Sequence, residues 1–305
     1  MKAAPAVPKT FGGLPTPTGW ETITMGSIFK KPLEEVVKAR YSVRTYANKP
    51  LGQETIALLE EYIKTLSNPF AEEVAFKLIE TAQAVNARQL GTYGMIKGAT
   101  HYVGATVKQR EGALEAVGYA FEQLILYAAS LGLGTCWLGG TFHKGEFAKA
   151  MDVQKDALFP AISPIGWSEE KRLGERLVRL AVKADQRKPW NVLFFKEGFS
   201  EPLTQADAGA YAFPLEMLRL APSASNKQPW RIVKEGNAFH FYEAEEPGYS
   251  NRLGFDVQRI DMGIAACHFH LALLEKGLNG EFQKRPPCVL NPPMNTHFVF
   301  SWVSA

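Results

Sequence analysis

Cysteine is scarce in this chain. The three present in 305 residues, Cys136, Cys267 and Cys288, leave at least one without a disulfide partner and show no metal-ligand spacing. That usage fits a reducing compartment, and the protein is expected to be cytoplasmic. Long apolar runs are missing too: none approaches the roughly 20 residues that span a bilayer, so no membrane partner is expected. Neither charge sign dominates, since 34 Lys and Arg against 31 Asp and Glu leave +3, too little to imply nucleic acid. The first twenty residues hold Lys2 and Lys9, no acid, no arginine and no apolar h-region. This argues against a secretory signal and leaves an organelle transit peptide short of its usual arginines. Residues 1–27 are expected to form a flexible arm, with folding beginning near Ile28. What remains is globular in composition, 46% hydrophobic and 21% charged, and long enough for one large domain or two ordinary ones.

Patterning predicts an α+β chain. Pro32 and the acids Glu34 and Glu35 open a first helix, and a second fits Gln53 to Leu66, ended by Ser67-Asn68-Pro69. Val74 to Ile79 and Tyr102 to Val107 read as strands. Ala113 to Leu131 is apolar nearly all round, which predicts a buried helix, stopped by Gly132 and Gly134. Thr135 to Leu138 continues as a short strand. An apolar helix returns from Gly263 and closes at Gly277, just as the segment from Gly118 closes at Gly132, with fourteen residues between the glycines each time. Between them lie a polar amphipathic stretch, Glu169 to Lys183, and a Gly/Pro/Ser loop from Gly198 to Pro202. A boundary near residue 190 divides the chain into halves 28–190 and 191–305. Arg231–Val233 and Ala238–Tyr242, joined by Lys234-Glu235-Gly236-Asn237, predict a hairpin.

Two constellations carry chemistry. In Arg40-Tyr41-Ser42-Val43-Arg44-Thr45-Tyr46, alternate residues of an extended segment share a face, so Arg40, Ser42 and Arg44 can converge on a phosphate dianion. A solvated basic helix end would read the same way. In Ala221-Pro222-Ser223-Ala224-Ser225-Asn226-Lys227-Gln228-Pro229-Trp230, small residues admit a ligand to the backbone, Ser and Asn offer donors and acceptors, and two prolines stiffen the wall. A capped helix start running into a strand edge is the alternative. Cys267-His268-Phe269-His270 is no metal clasp, because residues i and i+2 of a helix diverge by about 200°. Cys136 is either redox-active or simply buried. Gly132-x-Gly134 completes no Gly-x-Gly-x-x-Gly, so no separate nicotinamide domain is expected.

Together the two stretches resemble the FMN-dependent nitroreductase family, with its Arg-Ser-x-Arg helix end and its Pro-Ser-x-x-Asn-x-Gln-Pro-Trp segment. Gly132-Leu133-Gly134-Thr135-Cys136-Trp137 is similar to the family's turn after its central helix, and Ser163-Pro164-Ile165-Gly166-Trp167 to its strand end at the flavin. The motif order differs: only Leu66-Ser67-Asn68-Pro69-Phe70 stands where the Ser-Asn-Gln-Pro-Trp segment belongs, and the full version comes in the second half. Arg187-Lys188-Pro189-Trp190 matches the basic stretch that closes a family protomer. The chain thus resembles two protomers fused into one, each lacking what the other keeps.

The resemblance implies a nitroreductase-like fold of two pseudo-symmetric halves with their long apolar helices packed together. It implies FMN, with its phosphate on Arg40, Ser42, Arg44 and Arg187, and its ring lined by Pro222, Ser223, Ala224 and Asn226. Pro164, Ile165 and Gly166 would lie beside the isoalloxazine, with Tyr93 and Gly94 as weaker matches. No residue stands out as acid or nucleophile, so the cofactor would carry the chemistry. The implied reaction takes hydride from NAD(P)H to a nitroaromatic, quinone or similar small acceptor by a ping-pong course. Flavin storage or sensing without turnover, and dehalogenation or desaturation on the same fold, are the alternatives. A single chain would suffice for the flavin site, whether or not it dimerises further.

Overall fold

The computed structural model describes residues 29–81, 90–169, 183, 186–284, 286–287 and 291–305. The expected N-terminal arm, the interior of the Glu169–Lys183 stretch and Cys288 lie outside the described residues. The helices are α1 (Leu33–Ala39), α2 (Gln53–Thr65), α3 (Ala113–Ser130), α4 (Lys144–Ala150), α5 (Gln205–Ala208), α6 (Ala212–Arg219) and α7 (Val257–Glu275). The strands form two sheets. One holds β1 (Val74–Glu80), β2 (His101–Lys108), β3 (Gly134–Thr135) and β4 (Ala157–Gly166) in the order β1-β2-β4-β3, all antiparallel. The other holds β5 (Phe194–Lys196), β6 (Trp230–Glu235), β7 (Ala238–Ala244), β8 (Gly280–Gln283) and β9 (Thr296–Ser304) in the order β5-β6-β7-β9-β8, with β5 parallel to β6. The architecture is α+β, and no helix among the described residues is long and apolar enough to cross a membrane.

The apolar circumference of α3 has a use on each side. Val117, Phe121, Leu124, Ile125 and Ala128 pack with Val103, Ala105 and Ala161 of the first sheet. Ala116, Tyr119 and Leu126 belong to the larger core that contains α7 and the second sheet. A helix between two cores has no face left for water, which is why its pattern shows no polar stripe.

The two central helices cross at their glycines. A Cβ on Gly118 would lie 2.0 Å from the carbonyl oxygen of Ile260, and one on Gly263 would lie 2.0 Å from that of Glu115. These glycines therefore sit inside their helices, at the contact, and do not begin them. The second helix starts earlier than its apolar pattern suggests, at Val257, capped by Asp256, whose side chain accepts the Gln258 N–H. Its first turn looks polar, yet those side chains are buried or half-buried and partnered. Gln258 accepts the Glu246 N–H at 2.7 Å, and Arg259 pairs with Glu115 of α3.

The N-terminal helix crosses to the other half. Leu33, Val36 and Val37 of α1 lie in one core with Phe282, Phe300 and Trp302, and the Leu33 N–H donates to Glu275 at the end of α7, 2.7 Å away. The sequence around residue 68, where the family's Ser-Asn segment would stand, is a structural turn. Asn68 accepts the Phe70 N–H at 3.0 Å and donates to Glu72 O at 2.7 Å, setting Phe70 into that core.

Candidate functional site

At Arg40 the chain leaves α1 with φ −65° and ψ 127°, and runs on extended. Ser42 bridges Thr135, Thr45 bridges Lys97 and Tyr46 bridges Ser168. The Val43 N–H donates to Thr135 O at 2.8 Å. Alternation follows from this geometry: Val43 and Thr45 are buried in protein, while Arg40, Ser42 and Arg44 line a cavity of about 610 Å³. That volume falls in the range of sites that enclose a small molecule or cofactor.

The facing wall comes from residues 222–226, nearly two hundred positions away. Pro222, Ser223, Ala224 and Asn226 line the same cavity. Ser225, Asn226 and Gln228 hold φ of 48°, 56° and 48°, a left-handed backbone that is sparsely populated outside glycine. Such a shape persists where its surroundings over-determine it. Here Ser223 Oγ accepts the Gln228 N–H at 2.8 Å, and Gln228 Oε1 accepts the Lys188 N–H at 2.7 Å. The first half of α7 closes the cavity with Val257, Ile260, Asp261 and Ile264, whose i, i+3, i+4, i+7 spacing puts them on one helix face. Trp137 and Leu138, just after β3, complete the apolar part.

Charge in the cavity is one-sided. Lys38, Arg40, Arg44 and Arg187 contribute cations, and Asp261 is the one acid among the described lining residues. Arg44 is the most telling of them. Its Nε and Nη1 are buried and meet no acceptor among the described residues. Leaving a charged donor in that state costs a few kcal/mol, which a bound acceptor would offset. Arg187, by contrast, is largely engaged: Nε and Nη2 donate to Leu220 O at 3.3 and 3.0 Å, and Nη1 to Gln186 O and to Asn226 Oδ1.

Several expected site residues lie elsewhere. Pro164, Ile165 and Gly166 do not line the cavity. They are the buried end of β4, a central strand whose Ile165 pairs with His101 on one side and Thr135 on the other, so their backbone serves the sheet. Tyr93 and Gly94 form an exposed turn, with Tyr93 against the His143 ring at 4.4 Å. Asn226 reaches the cavity wall, but its amide is spent internally: Nδ2 donates to Lys183 O and Gln186 O at 2.7 and 3.0 Å. It fastens Lys183 and Gln186 to the wall. Cys136 is buried in an apolar cluster with Val43 and Leu138, and does not line the cavity.

Two of the cavity residues that went unforeseen are held by buried hydrogen bonds. Trp137 is positioned by a buried chain of hydrogen bonds: its Nε1–H donates to Glu122 of α3 at 2.7 Å, and the other Glu122 oxygen meets His268 Nε2 at 3.0 Å. His268 Nδ1 lies 3.0 Å from Met217 O, a pure acceptor, so that nitrogen carries a proton. His270 turns to a different partner, with Tyr119 Oη 2.6 Å from its Nδ1. Burial pushes His270 down to about 4, so its ring is neutral there at neutral pH. The second is Asp261, with relative exposure of 2%. An acid flanked by Ile260, Met262 and Ile264 was its only signal, and that signal falls just before Gly263, from which the apolar run was read.

This fold is that of the nitroreductases. A Thermotoga maritima crystal structure described as a nitroreductase superposes with TM-score 0.59 over 90% of this chain and 94% of its own, at 18% identity. The chain belongs to the family described as "Putative TM nitroreductase", whose model matches residues 32–273. Two further structures match less than half of this chain. An NADH dehydrogenase/NAD(P)H nitroreductase from Bacteroides thetaiotaomicron covers 46% of it and 88% of itself (19% identity, TM-score 0.39). An FMN-dependent nitroreductase from Clostridium difficile covers 45% and 88% (18%, 0.38). No curated protein matches in sequence. Family membership supports a general oxidoreductase role.

Proposed function

We propose that this protein binds one FMN in the cavity and works as an NAD(P)H-dependent oxidoreductase on nitroaromatics, quinones or similar small acceptors. The observation that carries the reading is that Nε and Nη1 of Arg44 are buried with no acceptor among the described residues, on a cavity wall shared with Arg40 and Ser42. The donor set fits a phosphate dianion: two forked cations and a hydroxyl from alternate positions of one extended segment. When bound, FMN supplies the hydride relay between nicotinamide donor and acceptor, each visiting the cleft in turn. The residues of the chain bind and orient. Arg40, Ser42 and Arg44 hold the phosphate, Arg187 adds charge while bracing the opposite wall, and Pro222, Ser223 and Ala224 bring backbone and small side chains close to the ring. Trp137, Leu138, Ile260 and Ile264 exclude water around it. Both walls come from one polypeptide, so one chain suffices for the site.

Anaerobic mixing tests the reading. The FMN-loaded protein should bleach with NADH or NADPH and regain colour on adding menadione. Retained colour with both donors, while FMN stays bound, would leave a flavin-binding protein without turnover.

Arg44→Ala removes the fork that faces the phosphate. Charge-assisted contacts are worth roughly 1.5–3 kcal/mol, so FMN should bind at least about tenfold more weakly. Riboflavin, which lacks the phosphate, should bind as before, and circular dichroism should be unchanged. Equal FMN affinity in the variant would place the phosphate elsewhere.

A further inference from the structure

The carboxyl of Asp261 is built into the cavity and has half of its hydrogen-bonding capacity unused. Its Oδ1 accepts the Ala224 N–H at 2.9 Å, which ties it to the wall formed by residues 222–226. Its Oδ2 is buried and has no partner among the described residues. Among the described residues no cation pairs with it, although Arg44, Arg40 and Arg187 line the same space. The neighbours on its own face are Val257, Ile260 and Ile264.

Resting on the FMN reading, we propose that Asp261 in its acid form donates a hydrogen bond from Oδ2 to a carbonyl oxygen of the ring held in the cavity. It thereby selects a carbonyl-bearing heteroaromatic ring such as the pyrimidine edge of a flavin. Two physical points favour the acid form. Burial raises this carboxyl well above the carboxylate range; Asp256 adds to the rise and the Ala224 N–H opposes it. A carboxylate buried without a cation is also far costlier than a carboxylic acid that lacks one acceptor. The Ala224 N–H fixes which oxygen is which: it must meet an acceptor, so the proton goes to Oδ2, which becomes the free donor. A carbonyl on the ligand completes the pair, whereas a ring that presents only donors or carbon there would leave the acid unpaired.

The same constraint makes asparagine diagnostic. In Asp261→Asn the side-chain oxygen must still accept the Ala224 N–H, which turns the amide NH₂ outward as a donor. If Asp261 donates, D261N should bind riboflavin and FMN within about twofold of wild type. Asp261→Leu, similar in size and without polar atoms, should weaken both flavins by about tenfold. Riboflavin separates this effect from the arginine clamp, because it carries the ring and no phosphate. Infrared difference spectra of the full-length protein supply a readout that does not need the leucine variant to fold. Wild type should show a protonated-carboxyl band at neutral pH that D261N lacks, and riboflavin should shift it to lower frequency.

Equal weakening in D261N and D261L would overturn the proposal in favour of an ionised acceptor. An absent band, or one that riboflavin leaves unmoved, would also overturn it. Either result leaves the FMN reading standing so long as wild type binds FMN. A wild type that binds neither flavin would remove both.

Discussion

Replacing Gly118 with alanine should destabilise this protein, although alanine is the better helix former by about 1 kcal/mol. The sign follows from the crossing of α3 and α7, where an added Cβ would stand 2.0 Å from the Ile260 carbonyl oxygen. That neighbour is backbone on a helix buried along nearly its whole length, so no rotamer change can relieve the contact. The helices must separate, and separation loosens two cores together, because α3 packs against both. Overpacking a core ordinarily costs 1–3 kcal/mol. Gly118→Ala should reach the upper end of that range, and Gly118→Val should exceed about 3 kcal/mol, a large part of a typical folding free energy of 5–15 kcal/mol. Gly263→Ala should behave alike, since its Cβ would meet Glu115 O. Urea unfolding followed by circular dichroism reads the effect. An unchanged or raised midpoint for Gly118→Ala would show that the helices do not cross so closely.

Separating the two sheets into two chains should abolish flavin binding by either one alone. The proposed phosphate clamp at residues 40–44 and the wall at 222–226 line one cavity from opposite ends of the sequence. Neither piece has a complete core without the other, for α1 packs among Phe282, Phe300 and Trp302. The break is best made away from residue 190. Trp190 packs on Phe194 at 4.5 Å, and the Lys188 N–H is held by Gln228, so both belong with the second sheet. Chains 1–169 and 170–305, co-expressed, should bind FMN with affinity near that of the intact protein. Each alone should bind none. A single fragment that retained near-native affinity would refute a site shared between the two sheets.

Much of this was legible in the sequence, for reasons that differ from element to element. The buried helix of residues 113–130, the 53–65 helix and the strand pair around Gly236 announce themselves by period and by punctuating Gly, Ser, Asn and Pro. The convergence of Arg40, Ser42 and Arg44 follows from alternation once the chain is extended. The start of α7 was hidden because Gln258 and Asp261 are buried and Arg259 half-buried, with partners, Glu246, Ala224 and Glu115, far off in sequence. The resemblance offered Pro164–Gly166 as ring contacts, and a motif does not reveal that these residues lie in the middle strand of a sheet, with Ile165 paired on both edges of β4. It likewise offered Asn226 as a ligand contact when its amide is consumed by Lys183 and Gln186.

The central claim is that one chain carries one complete flavin site, built from a single phosphate clamp and a single facing wall. Titrating the apoprotein with FMN, followed by the quenching of flavin fluorescence, tests it most directly. Saturation at one equivalent per chain, with affinity lowered at least about tenfold by Arg44→Ala, is the expected result. Saturation at two equivalents, or no quenching at all, would contradict it.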